Sequence, residues 1–416
     1  MNAQAFDVDL NSVARLGNEF LSELNQLREL DPVHWSAASQ CWIVTRHADI
    51  DDALQGKFPL SLKRLVDLGL AAVPEADRAR LFPTIMKFMP HWIIEIDPPD
   101  HTRQRKLLVK AFSKKVVDGM LPFVRQRVAT LLDKLAAQPE IEFNEQIARQ
   151  LPGSVILELI GLPQELVPRL RGWALALGEG LGRPFAPAEL LARVDQAMAE
   201  MNAVLIPAIE ERRARPREDL LTSMIQAVDG SDALTLDEML GSLHVIIVAG
   251  HDTTLNTLTL GIAALARNPG FWENMYRHPE RSLELSLELM RYVAMSTSQP
   301  RLVAEAFEWH GKSVKRGQFV FLMLAAANRD PRMFANPESM EPGRNNLDRS
   351  MVFAPGMHHC IGHLLAKMQV GEFFGALVQR FSGVEVLDDT LHFMPQVAFR
   401  GLYDLHVRFT HRRSQT

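Results

Sequence analysis

One stretch near the middle of the chain limits its fold more than any other. Thr235-Leu236-Asp237-Glu238 fits a capping box, and Asn268-Pro269 ends the helical pattern that follows. About 32 residues at about 1.5 Å each predict a helix about 48 Å long, a whole domain diameter. Its centre reads HVIIVAGHDTTLNTLTLG and puts Gly250, Asp252, Thr253, Thr254, Asn256 and Thr257 where good helix formers belong. The glycine alone costs about 1 kcal/mol against alanine, and Asp and Thr side chains compete with the backbone for hydrogen bonds. A weak helix centre flanked by Val245 to Val248 needs a compensating reason. The plain one is a kinked, buried helix with satisfied threonines.

Around this helix the pattern is mainly helical. Short strands are expected at CWIVTRH, in FEWHGKSVKRGQFVFLMLAAAN, and as a terminal hairpin in FMPQVAFRGLYDLHVRF. Residues 100–135 read as helix interrupted at Pro122, and further helices are expected over 146–160, 187–213 and 217–228. The 416 residues can bury a sizeable core. A net charge of −5 gives no global field for nucleic acid, so any basic partner surface is local. Two cysteines, Cys41 and Cys360, cannot staple a chain this long, which favours a reducing cytoplasm. Residues 1–30 show no basic leader with an apolar core, and no apolar run is long enough to span a membrane. The expectation is a cytoplasmic, unprocessed protein. GEGLGR, Gly178 to Arg183, lacks a preceding strand and has the wrong spacing for a nucleotide loop.

Cys360 stands in FAPGMHHCIGH, Phe353 to His363, among three histidines. Three chemistries are open. Zinc could take His358, Cys360 and His363, although no second cysteine or CxxC pair completes a structural site. A nucleophilic thiol would need a base, which a neighbouring histidine could supply. A thiolate ligand to haem iron would use Gly356 and Gly362 to bring the backbone against a flat macrocycle and turn it into a helix whose N-terminus favours the sulfur anion.

This loop resembles the haem-binding loop of the cytochrome P-450 superfamily at Phe353, Gly356, His358, Cys360 and Gly362, and departs from it at Ala354, where glycine is usual. AGHDTT, Ala249 to Thr254, resembles the family's oxygen-activation segment. ELMR matches the Glu-x-x-Arg pair at Glu288 and Arg291. ANRDP, Ala327 to Pro331, and DPPDHTRQRKLLVKAF are similar to further family segments. The likeness runs from residue 31 to 409, with 1–30 an N-terminal extension and 410–416 a tail.

The resemblance implies a mainly α, helix-rich single domain with a small β-rich subregion near the N-terminus and the long central helix over the haem. It implies haem b with Cys360 as axial thiolate, and insertion of one oxygen atom from O2 into an apolar small molecule. A peroxygenase, another thiolate-haem reaction, or a haem-bound carrier or sensor without turnover stand as alternatives. On the helix from Asp100, His101, Arg105, Leu108 and Phe112 share a face, and the family likeness assigns His101 and Arg105 to the haem propionates, joined by Arg301 and His358. Ala249 and Gly250 lie beside the oxygen site, where the glycine would make room for oxygen and water. Asp252 and Thr253 form an acid–alcohol pair for proton delivery. His251 is expected to point away from the haem. Glu288, Arg291 and Arg344 form a structural trio behind the cysteine loop.

Electrons must come from another protein, because the chain carries no flavin or iron–sulfur motif. Arg103, Lys106, Lys110, Lys114 and Lys115 form a local basic cluster suited to an acidic ferredoxin. The substrate pocket, again by likeness, includes Met86, Met89, Ile246, Met295, Ser296 and Val397. Ser296, Thr297, Ser298 or Gln299 would orient one polar group. The protein is expected to act as a monomer.

Overall fold

Thr235 closes the expected capping box at the start of the central helix. Its Oγ1 accepts from the Glu238 amide at 3.2 Å, and the Glu238 carboxylate accepts from the Thr235 amide at 2.8 Å. In this computed structural model, which describes residues 7–10, 17–63, 69–180 and 186–412, the helix runs from Leu236 to Ala266, and Pro269 opens the next one. In the weak centre, hydroxyls turn back onto the helix backbone. Thr257 Oγ1 donates to the Thr253 carbonyl at 2.8 Å, and Thr259 Oγ1 to that of Leu255 at 3.1 Å.

The chain forms two compact units, neither of them a continuous stretch. The first comprises Met1–Ser61, Arg125–Ala148 and Thr253–Thr416. It holds a five-stranded sheet in the order Val33–Ser36, Cys41–Val44, Phe319–Leu322, Gln299–Val303, Leu60–Ser61. Only the pairing of Phe319–Leu322 with Cys41–Val44 is parallel, so strands from both ends of the chain build what the sequence suggested as an N-terminal β region. On this sheet Trp42, Val44, Val303, Val320 and Leu322 bury with Ile50 and Leu54 of the helix His47–Leu54. Another cluster joins Cys41, Ile43 and Met323 to Phe20, Leu24 and Leu27 of the helix Asn18–Leu30. The N-terminal segment expected as an extension therefore supplies core.

A three-stranded sheet in this unit pairs Phe381–Val386 with His406–His411 and the latter with Glu140–Glu142. The terminal hairpin is thus wider than the one read from Phe393 to Phe409. Its return strand begins at His406, and the segment between makes isolated bridges, Phe393 to Leu402 within itself and Phe399 to Ser296.

The second unit comprises Leu62–Val124 and Arg149–Asp252. Its helices include Asp100–Ala111, Gln150–Ile160, Val167–Gly180, Ala188–Ala214 and the first half of the central helix. The helical stretch after residue 100 breaks at Phe112 and Met120, not at Pro122. Pro122 sits in the first turn of Leu121–Ala137, where its missing amide costs nothing. Of the GEGLGR segment, Gly178 to Gly180 end a helix, and Leu181 to Arg183 lie outside the described residues.

Candidate functional site

In the first unit the cysteine loop rests on a buried charge network. Glu288 and Arg291 lie one turn apart on the helix Ser282–Val293, both essentially inaccessible. Arg291 donates to both oxygens of Glu288, at 2.7 and 2.8 Å, and to the carbonyls of Asn328, Pro337 and Ser339. Arg344 Nε donates to the same carboxylate at 3.0 Å, and its Nη1 to the Ala335 carbonyl. Phe334 packs beneath both guanidinium groups. Asn328 passes the order on: its Oδ1 accepts from the Met351 amide at 2.7 Å, at the start of the turn Met351–Phe353. The trio expected from sequence is present, and Asn328 is the link that ties it to the loop.

From that turn the loop folds on itself. The Cys360 amide donates to the Phe353 carbonyl at 2.9 Å, and the His359 amide to that of Gly356 at 3.1 Å. Cys360 is half-buried and the helix His363–Arg380 starts three residues later, so the sulfur stands before a helix N-terminus. The His363 ring packs against His359 and Phe353, and its Nδ1 faces the Cys360 carbonyl at 3.0 Å. His358 is half-buried. Gly356 has φ +84°, and a Cβ there would lie 2.0 Å from the Leu54 carbonyl oxygen. Its lack of a side chain therefore serves the packing of loop on helix, whereas nothing lies within 4 Å of a Cβ built on Gly362. Ala354 takes φ +46° without being glycine. The other cysteine is a different kind of thiol: Cys41 is buried in a strand and its thiol is pushed up to about 12 by that burial.

The remaining candidates of this unit fall into two groups. Arg301 lies on the strand Gln299–Val303, buried, and donates to the Pro300 carbonyl and the Gln299 side chain. Met295 and Ser296 are zipped to the segment that carries Val397. The Arg400 amide donates to the Met295 carbonyl, Ser296 bridges to Phe399, and Ser298 Oγ donates to the Val397 carbonyl at 3.0 Å. Ser298 and Gln299 are thereby committed to the protein, and Thr297 is buried, which leaves Ser296 as the accessible member of the expected polar set. Val397 packs partly on the core cluster around Phe20. Thr253 is half-buried on the central helix.

In the second unit His101 and Arg105 occupy one face of the helix Asp100–Ala111. His101 is buried, and burial together with the Arg105 charge holds its imidazole down at about 4. On the central helix Ala249 is exposed and Gly250 half-buried directly after a run of buried residues. A Cβ on Gly250 would meet Ile156 Cδ1 at 2.3 Å, so the glycine admits a side chain of the helix Gln150–Ile160. His251 is buried and its Nδ1 stands 2.7 Å from Asp252 Oδ1, while the Asp252 side chain keeps about a third of its exposure. Sequence reading had left His251 without a task; adjacency to the acid was the available signal.

Met86 is exposed, Met89 half-buried and Ile246 buried. The segment carrying the methionines is anchored at both ends. Asp195 Oδ1 accepts the amides of Thr84 and Ile85, at 2.7 and 2.8 Å, and the His91 carbonyl accepts from Gln104 at 2.9 Å.

The basic cluster is not bare. Arg103 pairs with Asp232 and Glu238, Lys106 and Lys110 with Asp229, and Lys114 with Asp118, leaving Lys115 exposed. Asp229 and Asp232 belong to the hairpin Val228–Asp229/Asp232–Ala233, which lays its acids on this helix.

The sequence matches the cytochrome P450 family profile over residues 183–281 and 287–397. It is 30% identical to cytochrome P450 107B1 of Saccharopolyspora erythraea over 96% of this chain and 94% of that one. The chain belongs to the cytochrome P450 family. It is 29% identical to the polyketide biosynthesis cytochrome P450 PksS of Bacillus subtilis, over 94% of this chain and 97% of that one. Among solved structures, CalO2 superposes with a TM-score of 0.88 at 26% identity, covering 97% of this chain and 99% of the other. As a P450 it is a haem-thiolate monooxygenase of small molecules that draws on a redox partner. No helix among the described residues is long and apolar enough to cross a membrane.

The cofactor of a P450 is haem b with an axial cysteine thiolate, and the residues present fit it. The cysteine loop offers a half-buried thiol before a helix N-terminus, with open space at the following Gly362. With Cys41 sealed in a strand, Cys360 is the cysteine that fits.

Proposed function

We propose that this P450 oxygenates an apolar substrate of medium size, with Cys360 holding the haem, Thr253 and Asp252 handling protons, and a ferredoxin delivering electrons. Haem on a thiolate supplies the site at which dioxygen is reduced and one oxygen atom is transferred. The protein's own part is to hold, orient and protonate. His101, Arg105, Arg301 and His358 are the cations assigned to the propionates, Phe353, Gly356 and Gly362 shape the loop around the sulfur, and Ala249 and Gly250 set the helix backbone beside the oxygen site. Glu288, Arg291 and Arg344 keep the loop rigid.

The observation that carries the reading is the Asp252–Thr253 pair: a partly exposed carboxylate followed by a half-buried hydroxyl at the centre of the long helix. Asp252 collects a proton from solvent, and Thr253 Oγ1 donates it inward while bulk water stays out. That arrangement favours dioxygen over peroxide as the oxidant. The substrate lies against Met86, Met89, Ile246, Met295 and Val397, adaptable apolar walls, with Ser296 available to one polar group. Relatives are named for polyketide biosynthesis and for steroid C26 oxidation, both consistent with such a pocket. The redox partner is an acidic ferredoxin that meets the Arg103 to Lys115 segment by displacing the carboxylates now resting on it.

Replacing Thr253 with alanine tests this. NADPH consumption should continue while product per NADPH falls and peroxide rises; unchanged coupling would remove Thr253 from proton delivery. A panel of apolar compounds screened for the high-spin shift of the ferric haem identifies the substrate class.

A further inference from the structure

Asp252 is held from two sides within its own unit. On one side stands His251 Nδ1, 2.7 Å from Oδ1, on a ring that is 2% exposed and lies against Gly153 of the helix Gln150–Ile160. On the other is the helix Val167–Gly180: a Cβ built on Gly178 would fall 2.9 Å from Asp252 Oδ2. An ionised carboxylate only accepts hydrogen bonds, so the proton of the short contact sits on His251 Nδ1. One carboxylate oxygen is thereby held, and the other lies where a side chain on residue 178 would press on it.

We propose that His251 is a positioning residue for Asp252 and that Gly178 provides the space its carboxylate occupies. The imidazole holds Oδ1 so that Oδ2 is the oxygen that exchanges protons with solvent. This rests on the relay role given to Asp252 above. Neighbouring residues on a helix point in different directions, so their side chains meet only when one bends back along the helix surface. The Cδ2–Nε2 edge of the ring lies by Gly153. The arrangement fits a device that fixes a carboxylate better than it fits packing, which an apolar side chain would supply at lower desolvation cost.

Four variants separate the claims. His251→Asn keeps an N–H near the position of Nδ1, His251→Leu removes it, Gly178→Ala pushes on Oδ2, and Asp252→Asn abolishes the carboxylate. The first readout needs no turnover: histidine-selective 15N NMR of the diamagnetic ferrous carbonyl holoenzyme should show one buried histidine as the Nδ1–H tautomer, absent from His251→Leu. In Asp252→Asn that resonance should move. An unmoved resonance overturns the pairing.

The second readout is product per NADPH with a ferredoxin system, using whichever of testosterone, lauric acid and limonene gives the largest high-spin shift. His251→Leu and Gly178→Ala should each lower it several-fold, towards Asp252→Asn, and His251→Asn should recover at least half of the loss. If Asp252→Asn is impaired while His251→Leu matches wild type, the positioning role fails and the relay stands. If Asp252→Asn itself matches wild type, the relay reading fails and this proposal falls with it. Equal loss in His251→Leu and His251→Asn would mean that ring packing, and not the hydrogen bond, matters, and would also overturn the proposal.

Discussion

Glu288 and Arg344 are 56 positions apart in sequence, and the Arg344 guanidinium Nε donates to both Glu288 oxygens at 3.0 Å. Both side chains are almost fully buried, and Arg291 shares the same carboxylate. Arg344 also pairs with the less buried Glu341 at 3.5 Å, and the carbonyls of Asn328, Ala335, Pro337 and Ser339 accept from the two guanidinium groups. Removing the acid strands both cations. Glu288→Gln should cost roughly 3–5 kcal/mol, the usual penalty for breaking a buried pair from one side. Denaturant unfolding reads the loss, and haem content per chain should fall with it because the loop is fixed through Asn328.

Ala354 and Gly356 make opposite predictions two residues apart. Ala354 sits at φ +46° with a Cβ that disfavours this region, at a strain of about 1–3 kcal/mol. Ala354→Gly relieves it, offset by the extra backbone freedom of glycine in the unfolded chain, and should stabilise by about 1 kcal/mol. Gly356→Ala forces a Cβ onto the Leu54 carbonyl oxygen as well as adopting a left-handed φ, and backbone cannot step aside. It should destabilise by more than about 3 kcal/mol and shift the ferrous carbonyl band away from the thiolate position.

Acid should weaken the fold before the carboxylates titrate. His244 is fully buried beneath Phe88, its Nε2 sharing a hydrogen with Asn202 Oδ1 at 2.8 Å, and desolvation depresses it to about 3. The folded protein therefore keeps it neutral while the unfolded chain binds a proton near the ordinary value of 6.5. Its contribution is complete above about pH 6.5 and is lost as pH falls towards 3, because the unfolded state takes up more protons across that window. Stability measured between pH 7 and 5 should drop in wild type and drop less steeply in His244→Gln, which retains a donor for Asn202 without titrating there, while buried His101 and His47 keep part of the slope.

Ferredoxin binding should be limited by the protein's own acids. Asp229→Ala frees Lys106 and Lys110, so affinity for an acidic ferredoxin should rise at low salt, while Lys106→Ala should lower it. Both differences should shrink as ionic strength increases from 0.01 to about 0.5 M, as screening requires. Stability should hardly change, since such exposed pairs contribute little.

Several of these features were legible in the residues themselves. The capping box and Asn268-Pro269 defined the central helix almost to the residue, since local hydrogen bonds and a missing amide determine its ends. Glu288, Arg291 and Arg344 were named from spacing and likeness, and their geometry followed. Other features depend on what lies opposite. The packing of Ile156 against Gly250 was not legible, because a missing side chain says nothing about its neighbour. The basic helix looked bare because Asp229 and Asp232 are more than a hundred residues away in sequence. The last hairpin was drawn too tight because alternation marks a strand and not its partner, and Phe381–Val386 supplies that partner.

Asp195 joins two helices that would otherwise respond separately to an arriving molecule. By accepting the first free amides of Pro83–Phe88, it makes the short methionine-bearing helix a passenger of the long helix Ala188–Ala214. If the substrate lies against Met86 as proposed, making room for a bulky one is then a concerted displacement of two rods. The rate of guest exchange should follow the bending of the longer one, which already carries a proline at position 207.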